Sequence, residues 1–228
     1  MKRLFIVIIT VSFFAPGCKD KSAKKTESTT ADTTRAIDPK ADSLQKAKAK
    51  EDSIQFVLRK DSILKKMTQN ILTTLKNKNY SAFANYIDPV EGIRFSPYAH
   101  IDTINHIRFS RSAFIAQVNK ADSDMKTWGE FDGTGDPIRM TLNNYMRRFV
   151  YDVDFIKPEK SSINEFIGSG NSLNNLLTVY RNSDFTESHF SGFDPKYGGM
   201  DWKTLRLVFK ERNKRFYLVG IVHDEWTI

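Results

Sequence analysis

The sequence predicts an α+β domain: N-terminal helices packed in a curved, mainly antiparallel C-terminal sheet that closes like a cone. Three observations carry this. Over residues 53–77, 79–86 and 112–118, apolar side chains recur at three- and four-residue steps, the period of a helix with one buried face. From Trp202 to Lys210, apolar and polar residues alternate one by one, the period of a strand. Helices that come first and strands that come last make an α+β pattern, not the regular alternation of an α/β sheet.

The chain opens with Met1-Lys2-Arg3 and then runs apolar from Leu4 to Ala15, interrupted only by Thr10 and Ser12. That run is too short to span a bilayer as a helix, which takes roughly 20 residues. Ala15-Pro16-Gly17-Cys18 follows, and Cys18 is the single cysteine of the chain. Positive start, apolar stretch and small residues before a cysteine resemble the signal peptide of bacterial lipoproteins. The resemblance implies that residues 1–17 are removed, that Cys18 is the lipid attachment site (diacylglycerol, with a palmitate-type acyl chain), and that the membrane is a partner through it. Ala15 stands where that family usually has Leu. An ordinary secretory signal, which would leave Cys18 unlipidated, is the alternative. Lys19-Asp20-Lys21 resembles in part the export signals of Bacteroidetes surface lipoproteins. The implied location is the bacterial cell envelope, at the outer membrane, on either its periplasmic or its surface face.

Residues 18–52 are expected to form the lipidated cysteine and a polar, disordered tether. From residue 19 to 52 there are nine Lys/Arg against seven Asp/Glu and almost no large apolar residue before Leu44. Such a stretch buries too little surface to offset its ordering entropy. Residues 53–228 are expected to form one domain. Its first helix is predicted over 53–77 from Ile54, Val57, Leu58, Leu64, Met67, Ile71, Leu72 and Leu75. A second short helix is predicted over 79–86 with Ser81 as its cap, ended by Asp88-Pro89.

Glu91 to Tyr98 reads as an aromatic loop, and 112–118 as a helix with Phe114, Ile115 and Val118 inward. Residues 127–131 and 138–140 flank Asp132-Gly-Thr-Gly-Asp136-Pro137, which is turn chemistry. Thr141 is placed to cap a helix to Phe149, with Leu142, Tyr145, Met146 and Phe149 on its inner side. Strands are predicted over 184–193, 202–210 and 216–223. In the second, Leu205, Leu207 and Phe209 oppose Thr204, Arg206 and Lys210. In the third, Phe216, Leu218 and Val222 oppose Tyr217, Val219 and Ile221, and a strand apolar on both sides is covered on both sides. Asn213-Lys214 makes the hairpin turn between these two.

This layout, over roughly residues 64 to 228, resembles the nuclear transport factor 2-like (cystatin-like) fold. Two stretches, Gly92-Ile93-Arg94-Phe95-Ser96-Pro97-Tyr98 and the chain's ending from Asp201 through His223-Asp224-Glu225-Trp226, are similar to an uncharacterised family of bacterial secreted proteins and lipoproteins, which implies no activity.

The formal charge is +8 over 228 residues, spread without a basic block interleaved with aromatics, so nucleic acid is not an expected partner. His100, His106, His189 and His223 lack metal-ligand spacing, so neither a metal nor a cofactor is expected. The Asp132 loop fails as a Ca²⁺ loop because Asn143 stands where a bidentate Glu is needed. The candidate pocket comprises Arg94, Tyr98, Trp128, Asp201, Trp202, His223 and Asp224. Aromatics with an arginine suit a small anionic or planar ligand, and an envelope protein is the other expected partner. The functional expectation is a membrane-anchored, non-enzymatic binding module. Two alternatives stay open: an enzyme with an Asp/His acid–base pair in the cone, and a structural envelope protein.

Overall fold

The computed structural model describes residues 39–120 and 123–227, with side chains from residue 43. The stretch expected to be a signal segment, Cys18 and the expected tether up to residue 38 lie outside the described residues. The chain divides into two units, 1–46 and 47–228, and the second carries every described strand. In chain order the elements are α1 (Pro39–Lys76), α2 (Tyr80–Ala84), β1 (Ile93–Ser96), β2 (Arg108–Phe109) and α3 (Arg111–Val118). Next come β3 (Lys126–Glu130), β4 (Pro137–Met140), α4 (Leu142–Phe149), β5 (Lys160–Ile163) and α5 (Leu176–Val179). The chain closes with β6 (Asp184–Phe190), a 3₁₀ turn (Pro195–Tyr197), β7 (Lys203–Arg212) and β8 (Arg215–Glu225).

The fold is α+β, as the sequence predicts. Six strands form one sheet in the order β2-β1-β8-β7-β6-β5, and β3-β4 form a separate hairpin. Every neighbouring pair is antiparallel except β1 with β8, which runs parallel. The parallel pair arises because 93–96, read from the sequence as part of a loop, is a strand seated beside the C-terminal strand, with Phe95 level with Ile221.

Helix α1 begins at Pro39 rather than near residue 53. Proline is tolerated in a first helical turn, where its missing N–H has no partner to lose, and the following Ala, Lys, Gln and Glu are good helix formers. Its second half packs on the sheet. Leu64, Ile71, Leu72 and Leu75 are buried in one cluster with Leu205, Leu207 and Phe209 of β7. Lys60 reaches Asp184 at 2.7 Å, and the hydroxyls of Thr68 and Thr186 meet at 2.8 Å. Helix α2 is capped by Asn79, whose side chain accepts from the amide of Ala82, and not by Ser81. Both residue types form caps, and Asn79 takes the role because the helix starts at Tyr80.

Thr141 caps α4 as expected, accepting from the amide of Asn144, and Leu142, Tyr145, Met146 and Phe149 are buried. Asn213 and Lys214 both have positive φ, 49° and 61°, the geometry of a two-residue hairpin turn that matches strand twist.

Strand β8 is apolar on both faces and is covered on both, but its faces are not those the alternation predicts. Val208 pairs with Gly220 and Phe209 with Leu218, leaving Val219 as an extra residue in β8. This β-bulge reverses the alternation beyond it. Phe216, Leu218 and Ile221 therefore join the main core, while Val219 and Val222 join a second apolar cluster with Val208 and Phe185 on the opposite face.

The main core fills the inner face of the sheet. Trp128 stacks on Tyr145 at 3.9 Å between ring centres, and its Nε1 donates to the main-chain oxygen of Met140 at 2.9 Å. Phe95 touches Phe114, Trp128 and Tyr145 around it. All five of Phe95, Phe114, Trp128, Tyr145 and Phe149 are fully buried.

Candidate functional site

The residues singled out from the sequence do not meet in one place. Because side chains alternate across a strand, Phe95 and Ile221 face the inner core while Arg94, one residue earlier, faces outward. Trp128 and His223 are inner-face residues, fully buried, and Tyr98 lies edge-on to Phe149 at 5.8 Å on the same side. Asp224 faces outward with Thr204, its partner on β7. Asp201 staples its own loop, accepting from the amides of Phe193 at 3.0 Å and Asp194 at 2.8 Å. Trp202 lies 6.0 Å from the ring of His189 on the outer face. Cys18 lies outside the described residues.

At the inner end of β7 and β8, His223 and Glu225 enter a cluster with Asp152, Lys203 and Arg148. The His223 Nε2 lies 3.3 Å from Asp152 Oδ2, and its Nδ1 lies 3.3 Å from the carbonyl of Pro97. The Lys203 ammonium is 2.6 Å from both Asp152 and Glu225, and Arg148 forks onto Glu225. Burial pushes the Asp152 carboxyl up, but His223 and Lys203 more than reverse this and bring it down to about 2. Donor atoms of Asp152, His223 and Glu225 lie within 4.8 Å of one another, the spacing of a metal site. Here the Lys203 ammonium already sits between the two carboxylates and Arg148 neutralises the second, so the charges balance without an ion. The cluster's chemistry is that of a fastener holding the end of α4 to the sheet.

The outer face holds a buried triad that the sequence did not reveal. Arg206 is fully buried, with Nε 2.8 Å from Glu187 and Nη1 2.9 Å from Asp224. Its Nη2 donates to the carbonyl of Gly168 at 2.8 Å. Glu187 in turn accepts from the amides of Ile167 at 3.1 Å and Gly168 at 2.6 Å. The segment from Phe166 to Gly170 is thereby strapped across the sheet. Gly168 lies so close that a Cβ there would collide with Thr204 and His189. Desolvation raises the Asp224 carboxyl, with Arg206 pulling the other way. The one sequence signal for this triad was Arg206 as the lone charge within the stretch from Thr204 to Phe209. Its partners come from β6 and β8, and their register cannot be read without the sheet.

Two further constellations resolve as local structure. Ser96 Oγ lies 3.0 Å from His106 Nδ1, and Asp102 is close, yet these three do not form a nucleophilic triad. The Asp102 carboxylate accepts from Ile104 and Asn105 instead, and its amide donates to the same Nδ1 at 3.1 Å. Burial lowers the His106 imidazole to about 4, keeping it neutral. The Asp132 loop is the turn of the β3-β4 hairpin, with Gly133 and Gly135 at positive φ. Its Asp132 carboxylate ties that turn to the hydroxyls of Ser172 and Thr227.

Arg94 has no carboxylate partner among the described residues. Its Nη1 donates to the main-chain oxygens of Thr103 and His106, each at 3.0 Å. Neither Asp201 nor Asp224 pairs with it, because Asp224 is taken by Arg206 and Asp201 by its own loop. Arg94 instead lines an outer-face cleft of about 510 Å³ with Arg108, Arg181, Lys210, Tyr180 and Glu91 among its walls. Compared with known proteins, the chain matches no family model, no curated protein and no solved structure.

Proposed function

We propose that this chain is a lipoprotein of the bacterial cell envelope, anchored to the outer membrane through Cys18, whose domain binds a ligand or partner without turning it over. The anchor is supported by the single cysteine placed after a short apolar run and small residues. No helix among the described residues is long and apolar enough to cross a membrane. One acyl chain binds a bilayer only marginally, whereas two or three hold it stably.

One observation carries the binding-module reading over the enzymatic one. The middle of the inner face, where a cone-shaped reaction chamber would lie, is filled by Phe95, Phe114, Trp128, Tyr145 and Phe149, all fully buried, and the cleft of about 440 Å³ that the inner face does hold lies at its edge, between α1 and β5–β6. Acid–base chemistry needs a carboxylate or imidazole that reaches a substrate atom. His223 is walled in by Phe149, Pro97 and Asp152, and the Arg94 cleft opens on the outer face of the sheet.

Mass spectrometry of the mature product tests the anchor. A chain beginning at Cys18 with a thioether-linked lipid is expected, and Cys18→Ala should move the protein out of the membrane fraction. An intact amino terminus or an unmodified Cys18 sulfur would refute the anchor. Turnover of a defined substrate by the purified protein would refute the non-enzymatic reading.

A further inference from the structure

We propose that the outer-face cleft around Arg94 binds a phosphate or sulfate ester. The inference rests on the reading of the domain as a binding module and names the ligand class for this cleft. Four cationic side chains, Arg94, Arg108, Arg181 and Lys210, line it against one carboxylate, Glu91. That carboxylate is shared three ways: Lys210 and Arg212 both bond its Oε1, and Arg108 lies 3.6 Å from its Oε2. Arg212 is spoken for by Asp88 as well, at 2.7 Å. Arg94 and Arg181 are left with no carboxylate among the described residues.

Both of these arginines are held by main-chain oxygens. Arg94 is fixed through Nη1 by the carbonyls of Thr103 and His106, and Arg181 donates through Nε to the carbonyl of Thr178 at 3.3 Å. A carbonyl orients a guanidinium without cancelling its charge, so the remaining N–H groups keep a full positive field. A planar fork fixed in place matches the oxygens of a phosphate or sulfate group, which it can hold through two parallel hydrogen bonds. The wall is Tyr180, whose ring lies across Gly220 so closely that a Cβ there would press on it. Burial pushes the Tyr180 phenol up, and Arg94 and Arg108 draw it back.

The ester group has two sources, a free small molecule or a lipid headgroup. Calorimetric titration of the full chain in detergent at low salt separates them, with inorganic pyrophosphate as one probe and a short-chain phosphatidylglycerol as the other. Binding of pyrophosphate, weakened tenfold or more by Arg181→Ala, supports a free small molecule as the source of the phosphate group. Binding of the lipid alone, weakened to the same extent, supports a headgroup. Arg181 is exposed and, among the described residues, its side chain is held only by the Thr178 carbonyl, so that variant should fold. Arg94→Lys, which keeps the charge and loses the fork, should also weaken binding tenfold. Binding of neither probe, or binding unchanged by Arg181→Ala, overturns the proposal. It would leave the anchored binding module standing, since that reading rests on Cys18 and the filled inner face.

Discussion

On the inner face of the six-stranded sheet, Leu205, Leu207 and Phe209 of β7 meet α1 and a stack of aromatic rings. On the outer face, the residues between them, Thr204, Arg206 and Val208, meet His189, the acids Glu187 and Asp224, and a small second apolar cluster. One strand thus has two burial regimes. Inner contacts are non-directional, and any well-shaped apolar side chain serves them. Outer contacts are directional, since Arg206 satisfies Glu187, Asp224 and the Gly168 carbonyl in one arrangement only. The apolar face supplies most of the stability, while the ionic face determines where the strap from Phe166 to Gly170 lies.

Removing one centre from each face tests this contrast most severely. Trp128→Ala should cost about 3–5 kcal/mol, the usual range for an aromatic deleted from a core. Arg206→Ala should cost about as much, 3–5 kcal/mol, because it strands two buried carboxylates. The faces should then part company under compensation. Replacing the whole triad, Arg206→Met with Glu187→Leu and Asp224→Leu, should recover most of the loss, since a packed apolar trio can match a buried ion cluster. The amides of Ile167 and Gly168, which donate to Glu187, should nevertheless exchange with solvent faster. Denaturant unfolding and hydrogen exchange would read both. A triple variant as unstable as Arg206→Ala would show that the triad contributes stability that packing cannot replace.

Acid should take the two faces apart in order. His106, whose ring meets Ser96 on the outer side of β1, is held neutral with its value lowered from 6.5 to about 4. Between those values the unfolded chain binds a proton that the folded chain refuses, so stability falls as pH drops, by at most about 3 kcal/mol. Asp152, at the inner end, is lowered from 3.8 to about 2. The stability it contributes is complete above pH 4 and is lost only as pH falls toward about 2, on the order of 2 kcal/mol. Unfolding free energies measured from pH 7 to pH 2.5 should therefore show two descents. His106→Gln should flatten the upper one alone. A flat profile between pH 7 and 4.5 in the unaltered protein would refute the assignment to His106.

Much of this architecture was legible because it is local. Thr141 followed by Leu142, Tyr145, Met146 and Phe149 carries its own cap and its own period, and α4 follows the reading residue for residue. Asn213-Lys214 carries the turn, and Leu205, Leu207 and Phe209 carry the inner face of β7. What was not legible depends on pairing. Val219 looks like one more alternating residue, and only its lack of a partner on β7 makes it a bulge. Ile93 to Ser96 is too short to announce a strand and becomes one by lying beside Gly220 to Val222. The same limit governed the site. Arg94 stood out by type, but its companions Arg108, Arg181 and Lys210 come from three separate segments, and its fixing groups are backbone carbonyls, which no side-chain pattern encodes.

The mildest consequences lie within α1, where the same contrast runs along a single helix. Its second half buries Leu64 and Ile71 completely, whereas Phe56 is 61% and Leu58 57% exposed. Side chains from residue 43 to 59 are all exposed, and Gln55 donates to Glu51 within the helix at 2.9 Å. Leu64→Ala should cost about 2–5 kcal/mol. Phe56→Ser and Leu58→Ser should each fall within about 0.5 kcal/mol of the unaltered protein, since no described side chain packs on them to be lost. The same denaturant measurement decides it. A loss above about 1 kcal/mol at Phe56 would mean that this stretch is covered in solution, and covering it would then count as part of what holds the domain together.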